Sequence, residues 1–120
     1  MFKSKEKQLQ QVDTVISTGT VIEGKIVHET SLRIDGKIYG EIKCEGDVYI
    51  GTSGFAEEKI SAKNIFISGE VKGELIATNK IHIKQTGKVS GDVQCDGLTI
   101  DEGGIFNGNS TIRGSETEEE

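Results

Sequence analysis

The residues of this 120-residue chain that could do chemistry are its carboxylates, two cysteines and two histidines. Glycoside hydrolysis needs two carboxylates about 5 to 9.5 Å apart across a groove. Glu41, Glu74 and Asp92 recur at like positions, but Lys25 and Lys59 are interleaved with them in the order Lys25, Glu41, Lys59, Glu74, Asp92. Alternating signs suit a surface ladder, in which cross-strand ion pairs add a few tenths of a kcal/mol each. Cys44 and Cys95 occupy like positions three repeats apart, and His28 lies one repeat before Cys44. A zinc centre takes three or four converging ligands, and no such set is written here, so the cysteines read as small core residues. No phosphate-binding glycine loop, nucleophile elbow or histidine metal motif is present. These patterns predict no catalytic residue, no metal and no cofactor.

What positions these residues is a repeat. Ile16, Ile34, Ile50, Ile67, Ile83 and Ile100 open six similar segments, 16 to 18 residues apart. Two residues before each stands Thr14, Leu32, Val48, Ile65, Ile81 or Leu98. Four or six residues after each comes Ile22, Ile38, Ala56, Val71, Val89 or Phe106. Two further on lies a glycine column, Gly24, Gly40, Gly73, Gly91 and Gly108, with Glu58 in the third copy. Then follow Ile26, Ile42, Ile60, Leu75, Val93 and Ser110. Spacing by two places every second side chain on one face of a strand. A period near 17 predicts one coil of a β-solenoid per repeat, with like strands of neighbouring coils paired in parallel. A helix fails, since no 3.6-residue period is kept and each interior glycine costs about 1 kcal/mol. A left-handed hexapeptide β-helix fails because its six-residue spacing is met only locally.

Composition agrees with one small all-β domain. Apolar residues make up 33%, 16 glycines supply corners, and no proline interrupts the ladders. The expected organisation is a polar tail over residues 1–13, the β-helix over 14–114 and an acidic tail over 115–120. No apolar run reaches the roughly 18 residues of a membrane span, and the N-terminus lacks the apolar core of a signal peptide. The expectation is therefore a cytoplasmic protein, and the net charge of −6 with no basic stripe argues against nucleic-acid binding.

Two features remain. A solenoid ends in strands with unpaired backbone groups, which other solenoids cover with a cap. This chain writes no obvious cap. Its first coil presents Ile16, Ile22 and Ile26, and its last Ile100, Ile105, Phe106 and Ile112. Either the tails fold over these ends or the coils of two subunits stack end to end, with Phe106 as an apolar plug. The second feature is an outward column of Tyr49, Phe66 and His82, either plain sheet surface or a partner face. Met1, Phe2, Lys3, Lys5 and Lys7 at the N-terminus form either a solvated tail or a shallow anchor for anionic lipid, where each lysine contributes about 1 kcal/mol.

The segments Leu32 to Ile42 (LRIDGKIYGEI), Ile65 to Leu75 (IFISGEVKGEL) and Ile81 to Val93 (IHIKQTGKVSGDV) resemble the repeats of bactofilins, bacterial cytoskeletal proteins. The resemblance covers about residues 14 to 114. It implies a right-handed, triangular parallel β-helix that polymerises through its ends without nucleotide into non-polar filaments. It further implies a scaffold at the inner membrane face, attached through an N-terminal motif like Met1 to Lys7. A large apolar residue in the final coil, matched by Phe106, would serve polymerisation. The implied partners are further copies of the chain, a bactofilin paralogue, the inner membrane surface and client proteins. Thr20 and Glu58 depart from the family's glycines, and the proline-rich tails common in the family are missing from this sequence. Two other classes stay open: a monomeric binding module using the Tyr49, Phe66 and His82 face, and a carbohydrate-active β-helix enzyme. The process served, whether cell shape, wall synthesis, motility or chromosome organisation, is not written in the chain.

Overall fold

The computed structural model describes residues 14–113. Within them the anchor isoleucines stack as the repeat predicts. β1 (Thr14–Ile16) pairs in parallel with β3 (Leu32–Ile34), β3 with β5 (Asp47–Ile50), and β5 with β6 (Phe55–Ile67). β6 pairs with β7 (Glu70–Ile83), and β7 with β9 (Gly97–Ile100). The longer strands β2 (Val21–His28), β4 (Lys37–Cys44), β6, β7, β8 (Lys88–Cys95) and β10 (Ile105–Ile112) form the rest of each coil. Register follows the sequence columns: Ile22 sits on Ile38, Ile38 on Ala56, Ala56 on Val71, Val71 on Val89, and Val89 on Phe106.

Three corners fold each coil into three walls. The first is the turn after the anchor isoleucine, which absorbs the variation in length. Six-residue steps close a tight turn by a backbone bond, Thr20 to Ser17, Gly54 to Gly51, Gly87 to Lys84 and Gly104 to Asp101. In the four-residue steps the chain passes straight on, Asp35 and Gly36 both donating to the Ile16 carbonyl. The second corner is the glycine column, where φ runs from +122° to +144° and side chains are strained. A Cβ at Gly91 would strike the carbonyl oxygen of Gly73 in the coil before it. The third corner follows His28 and the small residues Cys44, Ala62, Ala77 and Cys95. The result is a parallel β-helix of six coils with a triangular cross-section.

Inward columns of isoleucine, valine and leucine fill the shaft. Ile34, Ile38, Ile42, Val48, Ile65, Ile67, Leu75, Ile81, Ile83 and Val89 are all completely buried. Each such side chain contributes about 1.5 to 3 kcal/mol on burial. Cys44 and Cys95 are buried in this core as expected, and the Cys44 thiol donates to the Thr30 carbonyl at 2.7 Å.

Candidate functional site

At the two ends the inward columns run out. Ile83 is fully buried, whereas Ile100, its register partner one coil on, is 43% exposed. Phe106 and Ile112 are half-buried against the core at that end, as are Ile22 and Ile26 at the other, while Ile16 is nearly buried. Ile105 differs from its placing with the end-facing set. It continues the outward column of Lys37, Phe55, Glu70 and Lys88, and is 44% exposed on the lateral surface. Among the described residues β2 pairs only with β4 and β10 only with β8, leaving one edge of each unpaired.

One outward column on each wall has the same character at both ends of the rod. Val15, Val21 and Val27 stand exposed, one on each wall of the first coil, and their equivalents in the last coil are Thr99, Ile105 and Thr111. All six are β-branched and uncharged. Protected sheet edges carry lysine or other charges, and at these six positions there are none, although Glu23 and Lys25 stand between them on β2.

The last coil is fastened to the fifth by side-chain bonds on separate walls. His82 Nε2 lies 2.9 Å from Asp101 Oδ1, Asn109 donates to Asp92 at 3.3 Å, and Arg113 Nε lies 3.3 Å from Asp96. The His82 contact joins residues 19 apart, one period plus two, and so reaches from one column to the next rather than along it.

Tyr49, Phe66 and His82 do share one outward column. Tyr49 and Phe66 stack with ring centroids 4.9 Å apart and planes at 12°, and Phe66 meets His82 tilted at 6.3 Å. Burial raises the Tyr49 phenol above its usual pKa, with Asp47 adding to the effect. Lys84 Nζ lies 5.8 Å from the Phe66 ring centroid. Beside the rings a dent of about 380 Å³ opens where Gly51 and Ser68 leave space, between Arg33 and Lys84.

The carboxylates expected in a ladder stand in it: Lys25 on Glu41, Glu41 on Lys59, Lys59 on Glu74, then Glu74 on Asp92. Among the described residues no three His, Cys, Asp or Glu side chains group to hold a metal ion, and no helix is long and apolar enough to cross a membrane. Met1, Phe2, Lys3, Lys5 and Lys7 lie outside the described residues.

Comparison with known proteins follows the same lines. The family model described as "Bactofilin: Polymer-forming cytoskeletal" matches residues 14–111. Bactofilin BacO of Myxococcus xanthus is 34% identical over 97 residues, which are 81% of this chain and 77% of BacO. Bactofilin BacP of the same organism is 26% identical over 96 residues, covering 80% of this chain but 40% of BacP. A Thermus thermophilus bactofilin, solved by cryo-EM as double helical filaments, superposes with a TM-score of 0.77 at 30% identity. That match covers 82% of this chain and 98% of the other.

Proposed function

The chain belongs to the bactofilin family of polymer-forming cytoskeletal proteins, and from that premise we propose that it assembles end to end, without nucleotide, into a non-polar filament. In this reading Ile16, Ile22 and Ile26 meet their counterparts at one junction, and Ile100, Phe106 and Ile112 meet theirs at the other. Ile105 joins the rim of the second junction. Like coils stack on like, so each junction is self-complementary and the filament has no direction. The observation that carries the proposal is the 43% exposure of Ile100 above a fully buried Ile83. A stacked coil would return Ile100 to the environment of every other anchor isoleucine and pair the open edges of β9 and β10. Two such strands wind together, as in the Thermus thermophilus relative.

The filament acts as a scaffold on the cytoplasmic face of the cell membrane, held by Met1, Phe2, Lys3, Lys5 and Lys7. One tail of three lysines binds weakly, but a filament displays many tails and gains affinity through avidity. Client proteins, and a paralogue able to share the same coil ends, are the partners, in cell-shape, cell-wall or motility processes.

Negative-stain electron microscopy of the purified chain without nucleotide, beside Phe106→Arg, tests the assembly. Long filaments lost in the variant are expected, because the arginine puts an unpaired charge in the junction. Single subunits in both samples would overturn the reading and favour a monomeric binding module.

A further inference from the structure

The three walls are not equivalent as lateral surfaces, and their charges decide how two rods can lie side by side. We propose that the wall bearing Tyr49 and Phe66 is the lateral interface between two strands, with a second copy of this chain docked antiparallel. The second coil of each copy then faces the fifth coil of the other. The proposal rests on the filament reading above and names the contact that holds its strands together.

The argument is a two-fold operation applied to the observed columns. In an isologous pair with the dyad along the strands, coils two and five, and three and four, exchange faces while each column meets itself. On this wall Tyr49 then meets Phe66 of the second copy. In the neighbouring column Asp35 meets Lys84, and Gly51 meets Ser68 over the 380 Å³ dent. Arg33, which holds Asp35 at 3.0 Å within its own copy, faces His82, itself paired with Asp101. The other walls bring like charges together in the same operation, Lys37 against Lys88 on one and Glu41 against Asp92 on the other, beside the opposite pairs Glu57 with Lys72 and Lys59 with Glu74. The Tyr49 wall sets no two carboxylates and no two lysines face to face. A parallel arrangement on the Tyr49 wall also fails, because Arg33 would meet Arg33 and Lys80 would meet Lys84. Like charges brought together at an interface oppose binding.

Size explains why the contact belongs to filaments. Six coils at about 4.8 Å by about five residues at 3.3 Å is roughly 450 Å² a copy, or about 900 Å² in all. Stable interfaces bury about 1,200 to 2,000 Å². One pair of subunits is therefore weak, and repetition along two strands supplies the affinity.

The test is disulfide trapping with Asp35→Cys and Lys84→Cys chains, both at surface turns. Antiparallel docking puts residue 35 of one copy against residue 84 of the other, while the two copies of residue 35 lie about 14 Å apart, beyond disulfide reach of about 7 Å. Mild oxidation of a mixture is expected to give a covalent dimer that neither chain gives alone. Dimers from either chain alone, or none from the mixture, overturn the proposal. In parallel, Lys84→Asp is expected to leave single-stranded filaments and Asp35→Lys with Lys84→Asp to restore the double strand. Double strands in the single variant overturn it as well. Filament length under the microscope reports the end junctions, whereas trapping captures weak lateral encounters with or without long filaments, so the two readings fail separately.

Discussion

Glu58 stands directly on Gly40 at the second corner and shares its left-handed backbone, with φ of +121° against +144°. It is the one described residue other than glycine with positive φ. The next coil depends on that geometry, since Gly73 packs so closely on the Glu58 carbonyl that a Cβ there would collide with it. Holding a side chain in this region costs about 1 to 3 kcal/mol, partly offset because glycine would add freedom to the unfolded chain. Glu58→Gly is therefore expected to raise stability by about 1 kcal/mol, measured by urea unfolding. Gly73→Ala should lower it by more than 2 kcal/mol, as both φ and the neighbouring carbonyl oppose the methyl.

Ile83 and Ile100 are the same residue at the same column position, one inside the shaft and one at its end. Truncating Ile83 leaves a cavity and is expected to cost about 2 to 5 kcal/mol. Ile100→Ala should cost under about 1 kcal/mol in isolated subunits, yet raise the concentration needed for filaments at least tenfold. Unfolding curves set beside sedimentation at rising protein concentration check the pair. Equal stability losses in both variants would place Ile100 in a closed core and remove the main support for end stacking.

Much of this architecture is legible in the chain because a solenoid turns a one-dimensional repeat directly into a stack. The columns headed by Ile16, Ile22, Ile26 and Gly24 all appear in register. The terminal coil is where pattern and burial part company. β10 alternates like β8 in sequence, but only Phe106 and Ile112 are even half-buried, because no coil lies beyond them. Ile105 consequently looks like an end-facing residue until parity is traced through Lys88. The polar fastenings are not written in the columns. A bond such as His82 to Asp101 depends on side-chain reach across a corner, which column alignment does not encode.

Cys95 makes stability depend on alkaline pH. Burial raises its thiol above the usual pKa, against smaller lowering effects from hydrogen bonds with Gly97 and Ile81. The folded chain thus keeps this proton at a pH where the unfolded chain releases it, so the favourable contribution is whole below the unfolded value near 9. It is lost as pH rises from there through the folded pKa. Urea midpoints at pH 7.5 and pH 10 are expected to fall less in Cys95→Ala than in the parent. Tyr49, raised in the same direction, sustains the remaining fall above pH 10. Identical falls in both chains would show that Cys95 plays no part in it.

Asn64 holds the third corner together across three coils. Its amide donates to Asp47 Oδ1 at 2.9 Å, and its carbonyl oxygen accepts from Asn79 Nδ2 at 2.9 Å and from the Lys80 backbone N–H at 3.2 Å. This is also where the pairing of β6 with β7 shifts register between Ala62 and Asn64, so the side chain serves a backbone donor at an irregular step in the ladder. Each bond contributes about 0.5 to 1.5 kcal/mol net. Asn64→Ala should therefore cost about 2 to 3 kcal/mol, and Asn79→Ala, which removes one bond, about 1. Asn64→Asp separates the two halves of the role: it still accepts from Asn79 and Lys80 but sets a second carboxylate against Asp47. Its loss should shrink at low pH, where one of the two carboxylates takes up a proton and bonds the other. Urea unfolding of the three variants at pH 7 and pH 4 checks this, and an Asn64→Asp penalty unchanged by pH would show that the Asp47 contact contributes nothing.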